Sequence, residues 1–173
     1  MLDARRWNVV EEDLARDYPA RRYVDPDPEV YLRAVDVEAD PATVFRWVCQ
    51  VRVAPYSYDL VDNLGRRSPR TLTPGLDELA VGQRFAVVFR IVGFEPGRQL
   101  TALTGSAGNR LFGPVAITYD VRATPTGSRL VCALAVGAQG RPQRLRRWAL
   151  AWGDLVMMRK QLQTLKRLAE GRA

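Results

Sequence analysis

The feature that most restricts what this chain can become lies at its C-terminal end. From about Pro142 to Glu170 apolar residues recur at Leu145, Trp148, Trp152, Leu155, Met158, Leu162, Leu165 and Ala169, the spacing of one helix face. A helix of ~28 residues is ~42 Å long. A compact chain of 173 residues has a radius of gyration of only ~16 Å, so this helix has to cross nearly the whole molecule with its stripe against an apolar surface. The preceding segments predict that surface. VAITYDVR (115–122) alternates Val115, Ile117, Tyr119 and Val121 with Thr118, Asp120 and Arg122, and SRLVCALAVGA turns Leu130, Cys132, Leu134 and Val136 the same way. QRFAVVFRIVGF places Phe85, Val87, Phe89 and Ile91 on one face of a strand, and RQLTALTG (98–105) pairs back on it. Turns are predicted at Glu95-Pro96-Gly97-Arg98, from Gly105 to Asn109, and at Pro125-Thr126-Gly127. Together these segments read as an antiparallel sheet with one buried face.

Upstream, residues 1–29 are polar and end in YVDPDPE; they read as an N-terminal extension packing on a single domain, 30–173, with Trp7 and Tyr18 as anchors. VYLRAVDVE (30–38) reads as a strand with Tyr31, Val35 and Val37 on one face. Asp40-Pro41 opens a helix to about Gln50, an N-cap residue followed by proline in the first turn. Ala54-Pro55 opens a second, short helix that Gly65 ends, and a turn-rich loop follows over 66–82. No linker or internal repeat divides the chain.

This order is strand, two helices, a strand meander and one long helix. It resembles the helix-grip fold of the START/Bet v 1-like (SRPBCC) superfamily, which includes polyketide cyclase/dehydrase and lipid-transport proteins. The likeness covers about residues 29–170 and begins at VDVEADPATVFRWVCQ. Two segments, CQVRVAPYSYDLVDNLGRRSPR and WGDLVMMRKQLQTLKRLAE, are similar to a narrower, mostly actinobacterial subgroup that brings no activity with it. The resemblance implies an α+β fold in which a curved antiparallel sheet wraps the C-terminal helix. It also implies a cavity between sheet and helix.

Absent residue types exclude several chemistries. There is no histidine, which removes Ser-His and Cys-His pairs, histidine metal sites and the usual general base near neutral pH. The two cysteines, Cys49 and Cys132, sit in apolar runs and read as buried core residues; no metal or other cofactor is expected. The net charge of +7 comes almost wholly from arginine, since lysine occurs only at Lys160 and Lys166. Those arginines are scattered and match no nucleic-acid motif, so no specific nucleic-acid partner is expected. Neither a signal peptide nor a transmembrane run is found, and a cytoplasmic protein is expected, with peripheral membrane contact and oligomeric state left open.

APYSYDLVDNLGRRSPR (54–70) is the densest polar cluster. Tyr56, Tyr58 and Asn63 either present polar tips to a ligand or belong to a capped helix. In the second case the neighbouring Asp59 and Asp62 pair with Arg66, Arg67 or Arg70. Arg33 shares a strand face with Val35 and Val37; it lies at the open end in solvent or reaches inward to hold an acidic ligand. Phe89, Tyr119, Trp152 and Met158 complete the candidate ligand lining. Asp154 is expected to pair with an arginine, for instance from 66–70, and Gly153 to admit a close neighbour. The four arginines of RPQRLRR (141–147) read as a solvated run or as a contact for something acidic. Three functions follow. The first is binding or carriage of a small hydrophobic molecule, lipid or polyketide-like. The second is a cyclase/dehydratase-like enzyme resting on Tyr56 or Tyr58 with Asp59 or Asp62. The third is a non-catalytic regulatory module acting through the basic surface.

Overall fold

A computed structural model describes residues 3–24, 27–57, 67–137 and 144–172. Its centre is a seven-stranded sheet. The strands are β1 (Arg6–Trp7), β2 (Glu29–Val37), β3 (Arg84–Phe85), β4 (Phe89–Glu95), β5 (Gln99–Thr104), β6 (Val115–Thr124) and β7 (Gly127–Val136). They run in the order β1-β2-β7-β6-β5-β4-β3, antiparallel except where β1 joins β2 in parallel. The β6–β7 turn needs glycine. Gly127 has φ of +147°, and a Cβ there would stand 2.2 Å from the Val37 carbonyl oxygen.

Helix α1 (Glu11–Leu14) lies in the N-terminal segment and α2 (Pro41–Cys49) follows β2. The Asp40 carboxylate accepts from Thr43 N–H at 2.9 Å and Pro41 opens the first turn, so α2 starts where its sequence signals it. Helix α3 (Ser106–Phe112) follows β5, and α4 (Arg144–Ala169) crosses the sheet. Met158, Leu162, Leu165 and Leu168 of α4 join Val35, Val37, Ile117, Val121 and the buried face of α2 in the main core. The fold is thus an α+β helix grip, a curved, mostly antiparallel sheet closed on the C-terminal helix.

Three local expectations are corrected. QRFAVVFRIVGF is not one strand. It folds back as the β3–β4 hairpin, with Phe85 opposite Phe89 and residues 86–88 forming the turn. Val87 therefore faces solvent, 60% exposed, and Ala86 takes the left-handed φ of +47° while its N–H donates to Val51 O. Gly105 to Asn109 is not a simple turn but the start of α3, with Asn109 N–H donating to Gly105 O. The sheet also has two buried faces rather than one.

That second face is covered by the N-terminal segment. Tyr18, with Val9 and Leu14, packs on Leu32, Ala34, Val131 and Ala133, and Ala20 packs on Ala116 and Ala135. Alanines on β2, β6 and β7 let the segment come close, and Ala20 N–H donates to Thr118 Oγ1 at 2.9 Å. Asp13, fully buried, ties the segment down through Arg122 and through Arg129 Nη2, the latter at 2.6 Å. Arg129 also reaches Asp36 at 2.9 Å and the Asn8 carbonyl at 2.6 Å. Burial alone would raise the Asp13 pKa. Hydrogen bonds from Arg129, the Val10 N–H and Arg122 outweigh it and hold this carboxyl below its usual range. At the other end of the segment Trp7 packs on the main core, with the Arg159 guanidinium 5.5 Å from its ring centre.

Candidate functional site

Strand register sets a polar row into the inner face. Arg33 of β2 stands opposite Cys132 of β7, and Cys132 stands opposite Tyr119 of β6. Beyond Tyr119 the row turns apolar at Leu100. Above it, α4 presents Asp154 and Gln161, two turns apart and so on the same side of the helix. Asp154 Oδ2 meets Arg33 Nη2 at 3.0 Å. Seven residues on, Gln161 accepts from the Tyr119 hydroxyl at 2.6 Å and donates to Pro55 O at 2.5 Å, linking helix, sheet and the segment after α2.

All five side chains are buried or nearly so; Arg33 is 1% exposed, and the Asp154 side chain, at 17%, is the least covered. Arg33 is dense in contacts. Nη1 donates to Arg5 O at 2.7 Å and Leu32 O at 3.0 Å, and Nη2 donates to Ala4 O at 2.7 Å as well as to Asp154. Burial raises the Asp154 pKa to about 6, against the lowering effect of Arg33. Burial also pushes the Tyr119 phenol and the neighbouring Cys132 thiol well above their ordinary values. Both stay neutral near pH 7 and act as hydrogen-bonding groups, not as a base or a thiolate.

The structure places the sequence candidates unevenly. Tyr119 and Met158 lie in the main core, and Phe89 and Trp152 are half-buried, Phe89 between the main core and the cluster around Tyr31. Tyr56 is 1% exposed, adopts a left-handed φ of +55°, and meets Trp47 edge-on at 6.1 Å. Tyr58 and Asn63, with Asp59, Asp62 and Arg66, lie outside the described residues; Arg67 and Arg70 are exposed. The solvent placement weighed for Arg33 is overturned, because its guanidinium is buried between the carbonyls of Ala4 and Arg5, just before β1, and Asp154 of α4. Asp154 does pair with an arginine, but with Arg33 rather than one from 66–70. Gly153 is exposed, and among the described residues no strand atom would lie within 4 Å of a Cβ there, so the close approach of a strand is not what places a glycine in this helix. Sequence reasoning passed over Gln161 as a site residue. Its signal was a polar side chain within the stripe of Met158, Leu162 and Leu165.

A cleft of about 310 Å³ opens on the outer side between α1 and the β6–β7 turn. Arg16, Arg98, Arg122 and Arg129 line it, but each has a carboxylate partner within the chain: Glu12, Glu95, Asp13 and Asp36. Among the described residues no helix is long and apolar enough to cross a membrane, and no group of three or more metal-ligating side chains occurs.

No protein-family model and no curated protein sequence matches this chain. Solved structures do. A solution structure of a protein from Arthrobacter aurescens aligns with a TM-score of 0.55 at 13% identity, covering 83% of this chain and 87% of that one. The di-domain ARO/CYC StfQ from the steffimycin biosynthetic pathway aligns with a TM-score of 0.54 at 14% identity, over 88% of this chain and 53% of that one. A crystal structure from Mesorhizobium loti aligns with a TM-score of 0.51 at 19% identity, over 83% and 98%. The chain has the helix-grip fold of START/Bet v 1-like proteins.

Proposed function

We propose that this protein binds or carries a small hydrophobic molecule, lipid or polyketide-like, between the sheet and α4. The observation that carries this reading is the polar row itself. Tyr119, Gln161, Cys132 and the Arg33–Asp154 pair are set into an interior otherwise built from valine, leucine, isoleucine and aromatic side chains. An apolar lining with a few fixed hydrogen-bonding groups is the usual design of a small-molecule pocket. The fold supports it, being one that also carries an ARO/CYC protein. In this reading Phe89, Trp152 and Met158 supply apolar contact, Tyr119 and Arg33 polar orientation, and Tyr56 the end reached through Pro55.

Native mass spectrometry of the purified protein, before and after organic extraction, tests the proposal. The expected result is a co-purifying small molecule that extraction removes. Tyr119→Phe should weaken its retention by ~2–10-fold, the effect of one lost hydrogen bond. A protein that carries nothing and takes up neither fluorescent lipids nor aromatic polyketides would overturn it.

One observation favours an enzymatic second reading of the cyclase/dehydratase kind. The Asp154 carboxyl titrates near 6, within the range useful to a general acid or base. There Asp154 would be the proton-transfer group. Asp154→Asn would then abolish turnover of a polyketide-like substrate while leaving its binding in place.

A further inference from the structure

The charge balance of the inner site restricts the chemistry of its ligand, an inference that rests on the pocket reading above. Among the described residues, the inner-facing positions of the strands hold two side chains that are charged near neutral pH, Glu29 and Arg33. Both are already paired, Glu29 with Arg5 and Arg33 with Asp154. Arg33 is further occupied by the carbonyls of Ala4, Arg5 and Leu32. The positive charge that an acidic ligand would require is therefore neutralised by the chain itself. The remaining polar groups of the row, Tyr119, Cys132 and Gln161, are uncharged.

A ligand carboxylate entering this space would lose its water, find no unpaired cation among the described inner-face strand residues, and face Asp154 as a like charge. Its desolvation cost would go uncompensated. An alcohol, ketone or ester of the same skeleton meets no such penalty, because hydroxyl, amide and thiol can exchange hydrogen bonds with it. We infer that the site selects neutral molecules over the ionised acids of the same skeleton, and that Asp154 is the residue setting this selectivity. This departs from the sequence-based expectation that an inward Arg33 would hold an acidic ligand.

Two matched pairs test it: 1-dodecanol against dodecanoate, and 2-acetonaphthone against 2-naphthoate, titrated calorimetrically at about pH 7.5, where both acids are ionised. The neutral member should bind at least ~10-fold more tightly, since an unpaired buried charge costs more than that factor. In Asp154→Asn, Arg33 keeps its charge without a carboxylate partner, and the ratio should move ~10-fold or more towards the acid. An acid bound as tightly as its neutral partner by the wild-type protein overturns the inference and leaves the pocket reading standing. An unchanged ratio in folded Asp154→Asn overturns the role of Asp154. Failure of all four compounds to bind defeats the pocket reading and this inference with it. Should the variant not fold, the wild-type ratios alone decide.

Discussion

Two buried arginine–carboxylate sites lie on opposite faces of one sheet, and their chemistry diverges. On the outer face Asp13 is held by two arginines and a backbone N–H, and its pKa is lowered. On the inner face Asp154 has one arginine, which also makes three hydrogen bonds to backbone carbonyls, and its pKa is raised to about 6. Burial opposes the charge of both carboxylates; the number of donors aimed at each decides the outcome. The outer site works as a clasp, fastening the N-terminal segment over a sheet face of alanines. The inner site sits under α4 among apolar side chains, and in the proposed reading its marginally stable charge serves recognition rather than anchorage.

The largest expected effect comes from the clasp. Asp13→Asn removes the charge shared by two buried arginines, and breaking such a network costs ~3–5 kcal/mol. Urea unfolding should show that loss; a change under ~1 kcal/mol would mean that Arg122 and Arg129 are satisfied by Asp120, Glu12 and Asp36 without Asp13. Next in size is Leu162→Ala, a fully buried contact of α4, at ~2–5 kcal/mol by the same measurement.

Asp154→Asn should cost less than Asp13→Asn, because it also removes a poorly solvated charge and leaves Arg33 with three carbonyl partners. The pH dependence sharpens the contrast. Asp154 titrates near 3.8 in the unfolded chain and near 6 in the folded one, so the folded state binds more protons between those values. Its contribution therefore lowers stability as pH rises through that window. Asp13 has the opposite sign: its contribution is complete above 3.8 and is lost as pH falls below that, through its lowered folded value. Urea midpoints across this range should fall with rising pH less steeply in Asp154→Asn than in wild type. Equal slopes would show that Asp154 is not the group responsible.

Much of this architecture was legible in the sequence because it rests on periodicity. The stripe of α4 and the alternation of 115–122 each fix which residues face the core. The covered outer face was harder to read. Its partners are alanines and Thr118, which do not stand out as a buried set until Tyr18 and Ala20 lie on them. The β3–β4 hairpin was masked by a period-two pattern that runs unbroken through a turn with no glycine or proline, closed instead by left-handed Ala86. Parity placed Arg33 on the face of Val35 and Val37. Its partner lies 121 residues away, and one sequence carries no signal for a pairing at that distance. Gln161 was obscured for a related reason, since a polar residue in an apolar stripe declares itself only when Tyr119 is seen beneath it.

Two adjacent methionines of α4 make binding beneath the helix measurable. Met158 is 8% exposed in the core under the helix, while Met157 is 39% exposed on its outer side. With methionine methyl groups labelled with carbon-13, NMR titration with 2-acetonaphthone should shift the Met158 methyl and leave that of Met157 in place. A shift at Met157 alone, or none at either under saturating ligand, would contradict binding between sheet and helix.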